Sequence, residues 1–105
     1  MTNPKVVSLG GGHGLAATLT ALRGITAEIT AVVTVADNGG SSGRLRAEFG
    51  SLPPGDLRMA LAALCSDDEW GRGWAEVMQY RFTGEGALRG HALGNLLMMA
   101  LWDMY

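Results

Sequence analysis

Short hydrophobic runs alternate with a helical pattern over the first third of the chain. Residues 5–9, KVVSL, predict a short buried strand, and residues 29–36, ITAVVTVA, predict a second strand with both faces covered. Between them the leucines of residues 15–22 recur at helical spacing, and Gly24 marks the end of that helix. A strand, a glycine-rich turn, a helix and a strand make a βαβ unit with a right-handed crossover. The pattern therefore predicts an α/β fold with a parallel sheet and flanking helices.

The pattern after the second strand is polar and glycine-rich before it becomes helical again. Residues 37–43, DNGGSSG, predict a loop. Pro53 and Pro54 cannot lie within a helix, but Asp56 is a good N-cap for a helix over residues 57–65. The next segment, SDDEWGRG, predicts a polar turn over residues 66–73.

The last third of the chain contains two further helical patterns. Residues 74–80 predict a short helix, and residues 82–90, FTGEGALRG, predict a flexible connection. Residues 91–104 then predict a strongly apolar helix, with no Gly or Pro after it to end the pattern. We therefore expect residues 1–105 to be the N-terminal portion of a single, larger domain.

Composition and charge narrow the class of protein. The chain has 105 residues, of which 48% are hydrophobic, and this suits one domain with a core. A formal net charge of -2 without a run of one sign argues against nucleic acid and against an anionic membrane as partners. No apolar stretch approaches the about 20 residues of a membrane span, and the N-terminus lacks a signal-peptide pattern. A cytoplasmic location is the simplest expectation.

The single cysteine, Cys65, excludes an internal disulfide and a cysteine metal cluster. It falls in the apolar run LAALC, and we interpret it as a small buried hydrophobic residue. The larger aromatic side chains are interpreted as filling a core or an interface: Trp70, Trp74, Tyr80, Phe82 and Trp102.

The first candidate site is the glycine stretch between the first strand and the first helix. Gly12, Gly14 and Ala17 fit the relaxed dinucleotide fingerprint GxGxx[GA] in its expected strand-to-helix context. Glycine lets the backbone approach a phosphate, and a helix N-terminus offers free N–H groups. No Lys-Ser or Lys-Thr pair follows, so a Walker-type loop is excluded. The alternative is a tight turn that needs glycine for geometry alone. The candidate residues are Gly10, Gly11, Gly12, His13 and Gly14.

The second candidate site follows the second strand. An acid at the end of that strand is typical of a contact with ribose, and GGSSG supplies backbone amides and two hydroxyls, as an anion-binding nest does. Because the carboxyl ends of neighbouring parallel strands face one crevice, both glycine stretches should meet there. The alternative is a mobile surface loop. The candidate residues are Asp37, Asn38, Gly39, Gly40, Ser41, Ser42 and Gly43.

Two further stretches carry polar residues next to helix starts. In PPGDLR, Asp56 and Arg58 are either a cap and a solvated charge or part of the site, and Asp37 with Asp56 could hold Mg²⁺ through carboxylate oxygens. In GHALGN, Asn95 could bind a ligand or a neighbouring loop, and His91 could cap the helix. Functional and structural interpretations of this last stretch are evenly matched.

The chain resembles the N-terminal part of the gluconeogenesis-factor (YvcK-type) family in four segments and in their order. These segments are GGGHG, VTVADNGGSSGRLR, LPPGDLRMALAAL and YRFTGEGALRGHALGNLL. That family belongs with the 2-phospho-L-lactate transferases (CofD-like) in one superfamily, and the resemblance runs over residues 6–101. It implies a Rossmann-like fold and a cytoplasmic regulator, needed for cell shape and for growth on gluconeogenic carbon sources. It also implies binding of a nucleotide-sugar such as UDP-N-acetylglucosamine, and it allows a homo-oligomer and protein partners in the cell-wall pathway.

The resemblance also implies which residues bind the ligand. Residues 10–14 and 37–43 would line a phosphate pocket, with Asp56, Arg58 and Asn95 nearby. Many relatives carry two adjacent acids where this chain has Asp37 and Asn38, which weakens a metal site. No catalytic residue is predicted.

Two other functions stay open from the sequence. One is a transferase that moves a phosphorylated group from a nucleotide-activated donor, with Asp37 and Asp56 on Mg²⁺. The other is a nicotinamide-dependent dehydrogenase in which Asp37 takes the ribose hydroxyls.

Overall fold

A two-stranded parallel sheet organises the fold, which was obtained as a computed structural model describing residues 3–105. Strand β1 (Val6–Gly10) pairs with β2 (Ile29–Val33), with Val6 opposite Ile29 and Gly10 opposite Val33. Helix α1 (Gly12–Arg23) joins them. The predicted α/β class and βαβ unit are confirmed. Strand β2 ends three residues before its predicted end, because its last backbone bond runs from Thr34 N–H to the oxygen of Gly10, where β1 also ends.

The core lies on one face of this sheet. Leu15 and Leu19 of α1 and Ala60 of a later helix are buried there against inward-facing residues of β2. On the other face of the sheet Val7 and Leu9 are exposed. The predictions of a buried first strand and of a second strand with both faces covered are therefore wrong within residues 3–105, since Val32 of β2 is exposed as well.

Two helices follow the sheet, and both begin where the sequence pattern is least helical. Helix α2 (Gly40–Phe49) contains most of the segment that we expected to be a loop over 37–43. Helix α3 (Gly55–Leu64) has Pro54 as its N-cap residue, so the assignment of Asp56 as the cap was wrong. The physical reason is that the Ser42 hydroxyl accepts a hydrogen bond from the Gly55 N–H at 2.8 Å. This bond from α2 replaces the one that a neighbouring side chain would make as a cap.

Helix α4 (Glu69–Gln79) replaces the predicted polar turn over 66–73 and the short helix after it. Asp68 is its N-cap, and the carboxylate accepts the Gly71 N–H at 2.7 Å. Trp70 and Trp74 stack edge to face on its outer side and are exposed, so they do not belong to the core. Cys65, which precedes this helix, is half-buried and not fully buried as expected.

Helix α5 (Leu93–Met104) begins two residues later than predicted, after a connection that closes on itself. The Phe82 N–H donates to the oxygen of His91, and the Leu93 N–H donates to the oxygen of Tyr80. Ala92 is the N-cap residue of α5, with no side-chain cap, so His91 does not cap this helix. Among residues 3–105, no helix combines the length and the apolar character that crossing a bilayer requires.

Gly94 sets how closely α5 approaches its neighbours. A Cβ there would lie 2.6 Å from the backbone oxygen of Met78 and 2.8 Å from Cγ of Arg58. Backbone cannot move aside as a flexible side chain can, so an added methyl group would push α5 away from α3 and α4. The glycine that interrupts the apolar pattern is therefore required by packing.

We predict that Gly94→Ala lowers the free energy of unfolding by about 1–3 kcal/mol, because overpacking displaces α5. The matched control is Gly73→Ala in α4, where no atom lies within 4 Å of the added Cβ. That change should raise stability by about 0.5–1 kcal/mol through helix propensity. Urea unfolding of the two variants measures both effects, and equal stability of the two would contradict the packing argument.

Candidate functional site

A cavity of about 260 Å³ lies between the starts of α1, α2 and α3, beyond the carboxyl ends of both strands. Both glycine stretches contribute to its wall. Ten of the fifteen predicted site residues line it: Gly12, His13, Asp37, Gly39, Gly40, Ser41, Ser42, Asp56, Arg58 and Asn95. Gly10, Gly11, Gly14, Asn38 and Gly43 do not. The structure therefore places the two candidate sites, which are separate in sequence, around one cavity.

The first residues of α1 and α2 have backbone conformations that favour glycine. Gly12 has φ +60° and Gly40 has φ +51°, both in the left-handed region. The residues before them, Gly11 and Gly39, provide no side-chain cap. Two helix N-termini thus present N–H groups without a local cap, and the partial positive charge of each helix, to the same cavity.

Glycines that do not line the cavity have other roles in the structure. A Cβ on Gly11 would lie 2.6 Å from Oδ2 of Asp56, and a Cβ on Gly43 would overlap the backbone oxygen of Asn38. Both glycines therefore allow close packing beside the site. Gly14 faces open space, and nothing in the structure explains a requirement for glycine there.

Arg58 is the charged group at the centre of the cavity wall. Its residue is 5% exposed, its Nη1 donates to Oδ1 of Asn95 at 3.3 Å, and its buried Nε has no partner. Burial lowers the pKa of Arg58, Arg81 lowers it further, and Asp56 acts in the opposite direction. Within residues 3–105 the one ion pair is Arg72 with Asp67, so no carboxylate lies within 4.0 Å of this guanidinium. The site therefore contains a buried cation without a carboxylate in salt-bridge contact.

A chain of buried hydrogen bonds continues from Asn95. Asn95, 1% exposed, donates through Nδ2 to the Ser41 hydroxyl at 3.0 Å. The same hydroxyl lies 2.7 Å from Nδ1 of His91, which is 5% exposed. Burial lowers the pKa of His91, Arg44 and Arg81 lower it further, and Glu48 partly opposes them. His91 is therefore neutral near pH 7, and the Ser41 O–H donates to its Nδ1 when the ring carries its proton on Nε2.

Two arginines hold the connection before α5 in place. Arg44 donates from Nη1 to the oxygen of Arg89 and from Nη2 to the oxygen of Ala87, each at 2.6 Å. Arg81 donates to the oxygen of Gly90 at 2.7 Å and also lines the cavity. These bonds fix the position of His91, and the connection that we expected to be flexible is tied to α2.

Sequence reasoning missed three residues of the cavity wall and the role of His91. Gly55, Met59 and Arg81 line the cavity and were not assigned to it. Arg81 stands alone between aromatic residues in YRF, and no motif marks it. The partner of His91 is 50 positions away in the chain, so local spacing carries no signal for that bond.

Asp37 and Asp56 both line the cavity, as a magnesium site would require. One oxygen of Asp37 accepts the Gly39 N–H at 3.0 Å, which closes a turn before α2. No group of three or more His, Cys, Asp or Glu side chains in residues 3–105 could hold a metal ion. Magnesium coordination by these two carboxylates therefore stays a prediction, in which phosphate oxygens and water would complete the shell.

A family profile described as "2-phospho-L-lactate transferase CofD" matches residues 6–105, nearly the whole chain. This chain belongs to the CofD family. The expected resemblance is confirmed, and the cavity described above lies entirely within the matched region.

Curated relatives of this CofD-family chain carry the name of gluconeogenesis factors. A "Putative gluconeogenesis factor" of Mycobacterium leprae is 63% identical over 96% of this chain and 28% of its own length. A protein of the same name from Mycobacterium tuberculosis H37Rv is 65% identical over 94% of this chain and 29% of its own length. A "Gluconeogenesis factor" of Listeria innocua is 47% identical over 95% and 30%. The chain thus spans less than a third of the length of these relatives.

Solved structures agree with this fold. Two crystal structures of a Bacillus halodurans protein, one described as a member of the UPF0052 family, superpose with TM-scores of 0.79 and 0.82. Their sequence identities are 40% and 44%, and the match covers 95% and 96% of this chain but 32% of theirs. The CofD-family chain therefore has the fold of one part of a larger protein of known structure.

The lowered pKa of His91 predicts how stability depends on pH. The unfolded ring has the ordinary pKa of 6.5 and takes up a proton before the folded ring does. Stability should therefore fall as the pH falls below 6.5 toward the lower pKa of the folded state. His91→Asn keeps an acceptor for the Ser41 hydroxyl and removes the titration, so its melting temperature should fall less between about pH 7.5 and about pH 5.5.

The exposed His13 provides the control for this measurement. His13→Asn should retain the pH dependence of the unmodified protein in the same thermal unfolding series. Parallel curves for His91→Asn and the unmodified protein would contradict the assignment of a buried, neutral His91.

Proposed function

We propose that this chain forms the phosphate-binding part of a nucleotide-sugar site in a gluconeogenesis factor. The ligand class is that of UDP-N-acetylglucosamine, and the protein acts as a cytoplasmic regulator of cell shape and of growth on gluconeogenic carbon sources. The names of the relatives and the family membership support a gluconeogenesis factor, and the nucleotide-sugar class of the ligand rests on the family resemblance. The regulatory role and the cell-wall partners rest on the family resemblance alone.

The buried guanidinium of Arg58 is the observation that carries the proposal. A buried charge without a counter-ion lowers the stability of the folded state by several kcal/mol, and a buried donor without an acceptor lowers it by about 1–3 kcal/mol more. A phosphate in the cavity would supply both the missing charge and the missing acceptor. The repulsion between Arg58 and Arg81 would also be offset, because both arginines line the cavity.

The N-termini of α1 and α2 add a second contribution to phosphate binding, which comes from backbone groups without a formal charge. The N–H groups around Gly12 and Gly40 face the same space, and helix N-termini favour anions. Ser41 and Ser42 bring hydroxyl groups to the wall. Together these groups suit the oxygens of a diphosphate better than those of a single carboxylate.

The size of the cavity limits which part of the ligand it holds. Its volume of about 260 Å³ is below the about 300–1,000 Å³ of pockets that take drug-sized ligands. A diphosphate fits this space, and a whole nucleotide-sugar does not. The base and the sugar would lie outside it, and the longer relatives have the additional chain to contact them.

We predict that Arg58→Met separates binding from stability. In the full-length protein the affinity for UDP-N-acetylglucosamine should fall at least about tenfold, since a charge-assisted hydrogen bond is lost. The melting temperature without ligand should stay the same or rise, because the change removes a buried charge without a counter-ion. Titration calorimetry and thermal unfolding measure the two quantities.

Arg72→Met is the matched control for this variant. Arg72 is exposed and pairs with Asp67 on the surface, away from the cavity wall. The control should bind the nucleotide-sugar with unchanged affinity. Unchanged affinity in Arg58→Met as well would reject the assigned phosphate site.

A transferase is the second candidate function, and two observations favour it. The family profile is named for a transferase, and Asp37 and Asp56 face the same cavity, where Mg²⁺ could bridge them to a diphosphate. The dehydrogenase hypothesis gains no such support, because one oxygen of Asp37 is already engaged by Gly39.

Turnover distinguishes a transferase from a regulator. If the full-length protein is a transferase, incubation with a nucleotide-activated donor, a phosphorylated acceptor and Mg²⁺ should give a product detectable by mass spectrometry. Asp56→Asn should then abolish the product, and Asp67→Asn, a surface change, should leave it. Tight binding without any product would favour the regulator.

A further inference from the structure

The Ser41 hydroxyl joins the proposed phosphate site to His91. Ser41 lines the cavity, and its oxygen is hydrogen-bonded to Asn95 at 3.0 Å and to His91 at 2.7 Å. A hydroxyl has one hydrogen to donate and two lone pairs. Asn95 Nδ2 can only donate and occupies one lone pair. We assign the proton of the neutral ring to Nε2, and in that tautomer the single hydrogen of Ser41 is directed to Nδ1.

A phosphate oxygen would compete with His91 for that hydrogen. Phosphate oxygens of a nucleotide-sugar only accept hydrogen bonds, so Ser41 can donate to a ligand only after it stops donating to Nδ1. When Nδ1 itself carries a proton, it donates to the second lone pair of Ser41. Asn95 and His91 then both donate to the oxygen, and the hydrogen is free to bind the phosphate.

We propose that binding of a phosphate-bearing ligand in this cavity is coupled to protonation of His91. The inference rests on the proposed function, since it assigns a proton to the same site. His91 is thereby a positioning residue: it acts through Ser41, and its protonation state decides whether the serine can donate to the ligand.

The charged groups around His91 favour proton uptake in the bound state. Arg44 on α2 and Arg81 on the preceding segment oppose a positive charge on the ring, and Glu48 on α2 favours it. Arg58 on α3 reaches the ring only through Asn95 and Ser41. A ligand with two negative charges beside Ser41 offsets the positive charge of the arginines. A charged imidazolium is then favoured over a neutral ring whose proton has moved to Nδ1.

Calorimetry of the full-length protein with UDP-N-acetylglucosamine tests the coupling. Both phosphates of this probe are esterified, so the probe takes up no proton itself near neutral pH. Titrations at about pH 7 in two phosphate-free buffers of different ionisation enthalpy should show uptake of a fraction of one proton per ligand. Affinity should rise as the pH falls, by at most about tenfold per pH unit for one linked proton.

Three variants assign the proton to its residue. His91→Asn keeps an acceptor for Ser41 and cannot be protonated, so both the uptake and the pH dependence of affinity should disappear. Ser41→Ala should reduce the uptake to the part that the charge of the ligand causes without the serine. His13→Asn changes the other histidine of the chain, which also lines the cavity, and loss of the uptake in that variant alone would assign the proton to His13.

The outcomes separate this inference from the proposed function. Binding whose heat does not depend on the buffer would overturn the coupling and leave the ligand assignment standing. Uptake that persists in His91→Asn, or that is lost only in His13→Asn, would also overturn it. No binding at any pH would reject the ligand and the coupling together. The buffer comparison uses the unmodified protein, so it decides the question even where a variant fails to fold.

Discussion

The desolvated charge of Arg58 is the constraint on which the site depends. Its guanidinium is buried in the cavity wall, and Asn95 is its one hydrogen-bond partner among residues 3–105. That contact exists because Gly94 lets α5 come close to α3. The same helix then carries Asn95 to Ser41 at the start of α2. One buried cation therefore ties three helices together, and the energy that it costs in the free protein is available to an anion.

Helix starts in this fold are completed by distant side chains. Ser42 of α2 accepts the first N–H of α3, while α1 and α2 themselves begin with glycines that lack side-chain caps. Glycine in these positions costs conformational entropy on folding, and a cap made by its own side chain is impossible. N–H groups left in this way are suited to a ligand that supplies oxygens from outside. The arrangement explains why the glycine-rich segments lie beside a cavity and not in mobile loops.

The sequence predicted the elements whose hydrophobic periodicity is strong. The two strands, α1 and α5 were found within a few residues, because Leu, Val and Ile recur there at regular spacing. Helix α2 and the first five residues of α4 were missed, since GGSSG and EWGRG show no apolar period. Most predicted site residues meet at the cavity, but Arg81 and the pairing of His91 with Ser41 did not emerge from local patterns. The partners of Ser41, His91 and Asn95, are 50 and 54 positions away, and only the packed structure brings them together.

Phosphate recognition and ligand identity are separable in this architecture. The cavity-lining groups that could bind a phosphate lie within residues 12–95, around a cavity too small for a whole nucleotide-sugar. The exposed face of the sheet, with Val7 and Leu9, does not line this cavity. A CofD-family protein with this cavity could therefore bind ligands that differ in the base or the sugar while its phosphate-binding residues stay the same. Whether such a protein regulates or transfers a group would then be decided by what contacts the parts of the ligand that leave the cavity.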